Sequence, residues 1–217
     1  MRHPVLLAAW LAAAPAAAQT VTTQDGNVFY RASETAPSRQ LTRTGLDRDA
    51  VLSPDGRTIA FIRGTPGDSV DIIVGPAEAT SLWTMGVDGG GARRHVVGRT
   101  AQVAGDMLAA LQGPRFSPDG ARIYFLSAAW ATSGAVHVLD LSTGTEQFLL
   151  AGNSLDVVPI GEFAGYLIVS QHRYLLSGGS FDWYWLFRPD GSEVGPIGED
   201  ETSLVEFDAI HVQPDPY

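Results

Sequence analysis

Cysteine is absent from all 217 residues. Disulfides, thiolate metal sites and cysteine nucleophiles are therefore excluded. Lysine is absent too, since all 14 basic residues are arginine. That rules out a Schiff-base lysine and the lysine of a phosphate-binding P-loop. The patterns G-x-S-x-G, H-E-x-x-H and G-x-x-x-x-G-K-S/T do not occur, which removes the common signatures of hydrolases, zinc proteases and nucleotide-binding loops. Long apolar runs are also missing. The run Val5 to Ala14 covers about ten residues, too few to span a bilayer.

That short run has a different meaning. Met1, Arg2 and His3 form a basic start, and Ala16-Ala17-Ala18 supplies small residues before a cut at Gln19. Residues 1–18 are expected to be a secretory signal peptide, and residues 19–217 a single domain of roughly 200 residues. An exported domain of this size without disulfides points to a bacterial periplasm. The full chain carries a net charge of −10, and loss of Arg2 makes the acidic excess one larger. An acidic surface with no basic cluster repels phosphate backbones and anionic lipid. Neither nucleic acid nor a membrane span is expected as a partner.

What the chain does have is a phrase written twice. LSPDGRTIAF runs from Leu52 to Phe61, and FSPDGARIYF from Phe116 to Phe125. In Ser53-Pro54-Asp55-Gly56 and Ser117-Pro118-Asp119-Gly120, proline presets φ, aspartate bonds to the local backbone and glycine closes a β-turn. Beyond each turn the residues alternate. Ile59 and Phe61 point one way, Ala60 and Ile62 the other; Ile123 and Phe125 match the first pair. Both faces are apolar, so these strands should be buried on both sides.

Further hairpins lie between the two copies and on either side of them. Leu82 to Gly98, Val136 to Gly152 and Trp183 to Gly198 each read as strand, turn, strand, and Asn27 to Thr42 does so with a longer turn. Val157 to Ser170 is a worn copy of the SPDG hairpin, with Phe163-Ala164-Gly165 in the turn. Starts spaced by roughly 50 residues, with four strands each, are the mark of propeller blades. The predicted fold is all-β: a small propeller of about four blades, each of four antiparallel strands. The N-terminal hairpin lacks a first strand, and Ser203 to Val212 is expected to supply it and close the ring, leaving no free edge. Gln102 to Gln112 is the only helix candidate.

The pattern [LF]-S-P-D-G-x-x-I-x-F, with its following hairpins, resembles the TolB-type (WD40-like) β-propeller repeat, clearly in two blades and weakly in two. The resemblance implies a periplasmic protein that works by binding other proteins, with a periplasmic or envelope protein as its partner. It departs from TolB in blade number, since TolB itself resembles a six-bladed propeller preceded by an α/β domain.

The titratable residues offer little chemistry. His95, His137, His172 and His211 are not spaced for a metal site, and no metal or cofactor is expected. His137 reads as a satisfied strand histidine. Asp55, Asp119, Asp88, Asp140 and Asp190 serve hairpin turns. Glu199-Asp200-Glu201 reads as a solvated loop, lacking the ligand spacing of a calcium site. The densest stretch is Gln171 to Gly191, which holds Tyr174, Phe181, Trp183, Tyr184, Trp185 and Phe187. Trp183, Tyr184 and Trp185 are expected in the core between blades. His172, Arg173, Tyr174, Ser180 and Asp182, around the Gly178-Gly179 loop, are the expected partner-binding residues. Two alternatives remain: a hydrolase or lyase with a polar site at the central channel, drawing on His172, Arg173 and Asp182, or an incomplete propeller that needs a partner chain.

Overall fold

The computed structural model describes residues 19–213. The expected signal peptide lies outside them. Strands are numbered in chain order and fall into four antiparallel sheets. The first holds β1 (Thr20–Gln24), β2 (Asn27–Arg31) and β3 (Arg39–Gln40). The second holds β4 (Asp47–Leu52), β5 (Thr58–Ile72), β6 (Gly75–Gly86) and β7 (Arg93–Val97). The third holds β8 (Gln112–Phe116), β9 (Arg122–Ala128), β10 (Gly134–Asp140) and β11 (Glu146–Ala151). The fourth holds β12 (Asp156–Val157), β13 (Leu167–Tyr174), β14 (Ser180–Phe187) and β15 (Glu193–Gly198). Each sheet is a meander of sequential neighbours, as the twin phrases and recurring hairpins require.

The alternation after each SPDG turn determines how the sheets stack. Ile59 and Phe61 join Val28 and Tyr30 in a core between the first and second sheets. Ala60 and Ile62 turn the other way and meet Ile123 and Phe125 between the second and third. Tyr124 and Leu126 then meet Leu167 and Val169 between the third and fourth. Ile59 to Ile62 and Ile123 to Phe125 are all fully buried, as double-sided burial demands. Each large side chain removed from water in this way contributes about 1.5–3 kcal/mol.

The two SPDG turns share one hydrogen-bond network. The Ser53 hydroxyl donates to Asp55 at 2.6 Å and accepts from the Thr58 N–H at 2.9 Å. The Ser117 hydroxyl donates to Asp119 at 2.5 Å and accepts from the Arg122 N–H at 2.9 Å. Each carboxylate also accepts a backbone N–H, from Arg57 and from Ala121. Gly56 and Gly120 take φ of 69° and 71°, the left-handed region where a side chain is strained. The serine hydroxyl is the first cause that holds both aspartate carboxyls below their ordinary range, with the backbone N–H second.

Two expectations need correction. Ser203 to Val212 is not a closing strand. It lies almost wholly within helix α1 (Glu201–His211). Asp200, expected in a solvated loop, is the helix N-cap: its carboxylate accepts from the Ser203 N–H and hydroxyl, both at 2.9 Å, and its pKa is lowered by those bonds. Glu201 in the first turn and His211 in the last suit the helix dipole. Leu204 and Phe207 then fall on one face of the helix and, with Val212 just past its end, pack against the fourth sheet. The first sheet accordingly keeps three strands, and among the described residues no strand from the C-terminal segment joins it. The second correction is smaller. The helix candidate at Gln102 to Gln112 contains only a three-residue 3-10 turn, Ala104–Asp106, and its end already belongs to β8.

Connections alternate between two ends of the stack. The SPDG turns share one end with the turns near Asp88, Ser142 and Pro189. The tips at Ile73-Val74 and Leu175–Gly179, and the connections between sheets, lie at the other.

Two tests follow. Phe125→Ala should cost about 3–5 kcal/mol in urea unfolding, because it empties a site packed from two sheets. A loss under 1 kcal/mol would contradict the shared core. Ser117→Ala should cost about 1 kcal/mol at neutral pH. A carboxyl depressed in the folded state contributes stability above its unfolded pKa and loses it as pH falls. The gap between parent and Ser117→Ala should therefore narrow as pH drops through the carboxylate range, and a gap independent of pH would refute the assigned network.

Candidate functional site

The β13–β14 hairpin reaches past its neighbours. β12 pairs only with Leu167 and Ile168, and β15 only with Tyr184 to Phe187. The remaining residues, up to the pair Tyr174 and Ser180, form a two-stranded arm. Strand alternation divides the five expected site residues between its faces. His172 lies opposite Asp182, and Tyr174 opposite Ser180. The His172 Nδ1 is 3.0 Å from Asp182 Oδ1, and its ring meets Tyr174 edge-on at 5.0 Å. The Tyr174 hydroxyl lies 3.4 Å from Thr132 Oγ1, on the β9–β10 connection.

Arg173 belongs to the opposite face. Its guanidinium donates to Gln171 Oε1 and, at 2.6 Å, to Glu193 Oε2. It lies 3.4 Å from the centre of the Trp185 ring, a cation–π contact. Trp183 sits between Phe181 at 5.8 Å and Trp185 at 6.4 Å. Trp183, Tyr184 and Trp185 are half-buried, with Trp185 against the core shared by the third and fourth sheets and Tyr184 against α1. The structure thus gathers four of the five residues and assigns Arg173 to bracing the arm. At the tip, Tyr174, Leu175 and Leu176 are exposed.

Sequence reasoning missed a groove at the inner strands. Asp49, Gln112, Gly113, Arg115, Ser154 and Asp156 line a cleft of about 550 Å³. Asp49 has a φ of 53° and Gly113 of 57°, where β4 and β8 both bulge. The Asp49 carboxylate accepts the Gly113 N–H at 3.1 Å, and Arg115 pairs with Asp156 at 2.9 Å. The two positions are equivalent in the twin phrases, each three residues before its Leu52 or Phe116. That was the available signal. A second cleft of about 360 Å³ continues from Gln112, Leu126 and Asn153 towards Trp130.

His137 is fully buried, but the expectation of a satisfied strand histidine holds at one ring nitrogen only, since its buried Nε2 has no hydrogen-bond partner among the described residues. Its Nδ1 is 2.6 Å from Glu146 Oε1, and Arg99 reaches Glu146 Oε2 at 2.9 Å. Burial acts to raise the Glu146 carboxyl, but hydrogen bonds from His137 and Arg99 outweigh it and hold the group below its ordinary range. The ring stacks on Phe125 at 5.4 Å, so this chain of polar groups ties the β7–β8 connection to the third sheet. Among the described residues, no group of three or more histidine, aspartate or glutamate side chains gathers as a metal site. No helix among them is long and apolar enough to cross a membrane.

No protein-family model matches the chain, and no curated protein matches it in sequence. Solved structures do resemble it. TolB from Acinetobacter baumannii is 15% identical, over 80% of this chain and 38% of that one, with a TM-score of 0.54. Dipeptidyl peptidase 4 from Porphyromonas gingivalis is 12% identical, over 84% and 31%, with a TM-score of 0.53. An oligogalacturonate lyase in complex with manganese is 14% identical, over 81% and 42%, with a TM-score of 0.50. The chain spans less than half the length of each. Likeness at this level speaks to architecture, and it agrees with the stacked sheets and the twin turns: the chain has the fold of a TolB-like β-propeller.

Proposed function

We propose that this protein is an exported, non-catalytic scaffold of the bacterial periplasm, and that it binds another periplasmic or envelope protein through the β13–β14 arm. The observation that carries this reading is the arm itself. It projects beyond β12 and β15, and its tip exposes Tyr174, Leu175 and Leu176 to solvent. An aromatic and two large aliphatic side chains together at one tip are what a partner's pocket can bury. His172, Ser180 and Asp182 give a polar rim on one face, and the Arg173 brace holds the arm on the other. A second apolar tip, Ile73 and Val74 on the β5–β6 hairpin, is exposed at the same end of the stack. The likeness to TolB favours a binding role.

One observation favours a second reading, that of a hydrolase or lyase. The inner-strand groove brings Asp49, Arg115 and Asp156 together beside Gln112 and Ser154, and structures resembling this chain include a peptidase and a lyase.

The test separates the two. Purified protein is used as bait in envelope extract, beside a Leu175→Asp/Leu176→Asp variant and an Asp156→Ala variant. The scaffold reading expects a captured protein that the tip variant loses at least tenfold and the groove variant retains. Capture unchanged by the tip variant would refute the arm as the binding site. Turnover of peptide or oligosaccharide substrates, lost in Asp156→Ala with the fold intact, would replace the first reading with the second.

A further inference from the structure

Most polar groups at the SPDG end are taken up by the turns, but one cleft there is an exception. It lies between the third and fourth sheets and has a volume of about 350 Å³. Arg122 on β9, Asp140 at the end of β10, Thr145 just before β11, Gln147 within it and the Pro189-Asp190 turn between β14 and β15 line it. A cleft of this size with a few converging polar groups is what a small-molecule site requires.

The twin phrases separate what the hairpin needs from what it does not. Thr58 and Arg122 each stand two residues after the glycine of their turn. Thr58 pairs across the second sheet with Gly86, and Arg122 across the third with Asp140. The next bond is the same in both sheets: the Val87 N–H donates to the Arg57 carbonyl and the Leu141 N–H to the Ala121 carbonyl, each at 3.0 Å. The second sheet thus closes this corner with threonine and glycine, so the hairpin does not demand an arginine opposite an aspartate. Further along the same face, Tyr124 takes the place of Ala60. Its hydroxyl donates to the Pro189 carbonyl at 3.4 Å and joins the two walls of the cleft.

The lining groups keep bonding capacity. Asp140 and Asp190 accept the bonds of their own turns at Oδ1. Those bonds, from Ser142 and Ser192 first, hold both carboxyls below their ordinary range, so both are ionised and each Oδ2 can accept. Arg122 forms no ion pair among the described residues. Its guanidinium lies beside the Tyr124 hydroxyl, with Asp119 and Asp140 near it. Thr145 and Gln147 are exposed. Carboxylates on several sides of one guanidinium repel an anion, and the guanidinium repels a simple cation. Hydroxyl groups both donate and accept. An uncharged polyol can therefore satisfy the guanidinium, the amide and the carboxylates together, while its C–H groups meet Val138 and Pro189. We propose that this cleft is a carbohydrate site that takes one neutral hexose unit. It lies at the opposite end of the stack from the β13–β14 arm and does not depend on the arm's role.

The test is saturation-transfer NMR on the full chain with D-glucose, D-galactose and D-mannose, and with glycine as a charged comparison. Transfer to at least one hexose is expected, and none to glycine. Titration of that hexose should show Kd raised about tenfold in Arg122→Thr, which installs the residue of the second sheet, and about threefold in Gln147→Ala. Leu175→Asp/Leu176→Asp, at the other end, should bind as the parent does. Absence of transfer to all three hexoses overturns the proposal, and so does transfer to glycine alone, which would assign the cleft to a zwitterion. Hexose binding unchanged in a natively folded Arg122→Thr variant also overturns it. Should that variant fail to fold, the exposed Gln147→Ala decides, and an unchanged Kd there counts against the site.

Discussion

Strands β5 and β9 each share their side chains between two cores, and the whole stack depends on that division. In β5, Ile59 and Phe61 complete the core with the first sheet, while Ala60 and Ile62 complete the core with the third. In β9, Ile123 and Phe125 take one side and Tyr124 and Leu126 the other. A slip of one residue in register would exchange the two sets and spoil both cores at once. The register must therefore be fixed before the strand begins. The SPDG turn does this. Its serine hydroxyl bridges the aspartate carboxylate and the first N–H of the new strand, in both copies and at nearly the same distances. Backbone geometry, not chemistry, makes the chain repeat the phrase.

The same logic explains what was readable and what was not. SPDG and its alternating tail describe local structure with one outcome, so both hairpins and their buried residues could be read directly. The worn copy at Val157 to Ser170 could be read as well: Gly165 has a φ of 86°, and its N–H bonds to the Val158 carbonyl at 2.8 Å, closing the loop between β12 and β13. Ser203 to Val212 could not. Leu204, Phe207 and His211 share a helical face, yet the position of the segment after the fourth hairpin points to a strand. A repeat argument expects another strand there, and the cap at Asp200 with its Ser203 partner is a local signal that overrides it.

The candidate site was partly legible for the same physical reason. Nearness to the Gly178-Gly179 loop groups the five residues; the register puts His172, Tyr174, Ser180 and Asp182 on one face, while adjacency in sequence concealed that Arg173 faces the other way. The groove at Asp49 and Arg115 was missed because its residues come from three strands that meet only when the sheets stack. Asp49 lies in β4, Arg115 in β8 and Asp156 in β12; the equivalent places of Asp49 and Gly113 before the twin phrases hint at the bulges, but no local pattern brings in Asp156.

The two ends of the stack are built to different rules, and this difference bears on where recognition occurs. At the SPDG end the polar groups are spent on the turns themselves. Asp55, Asp119, Asp140 and Asp190 each accept bonds from neighbours within their own loops, which leaves few groups there to address a partner. At the other end the hairpins outrun their sheets. An arm of this kind would ordinarily be mobile, and binding would then cost the entropy of ordering it. Here Arg173 is held between the Trp185 ring, Gln171 and Glu193, and His172 is bonded across to Asp182. These contacts brace the arm on both of its faces. On the proposed binding role, these contacts at the base of the tip would lower the cost of ordering the arm when Leu175 and Leu176 meet a partner.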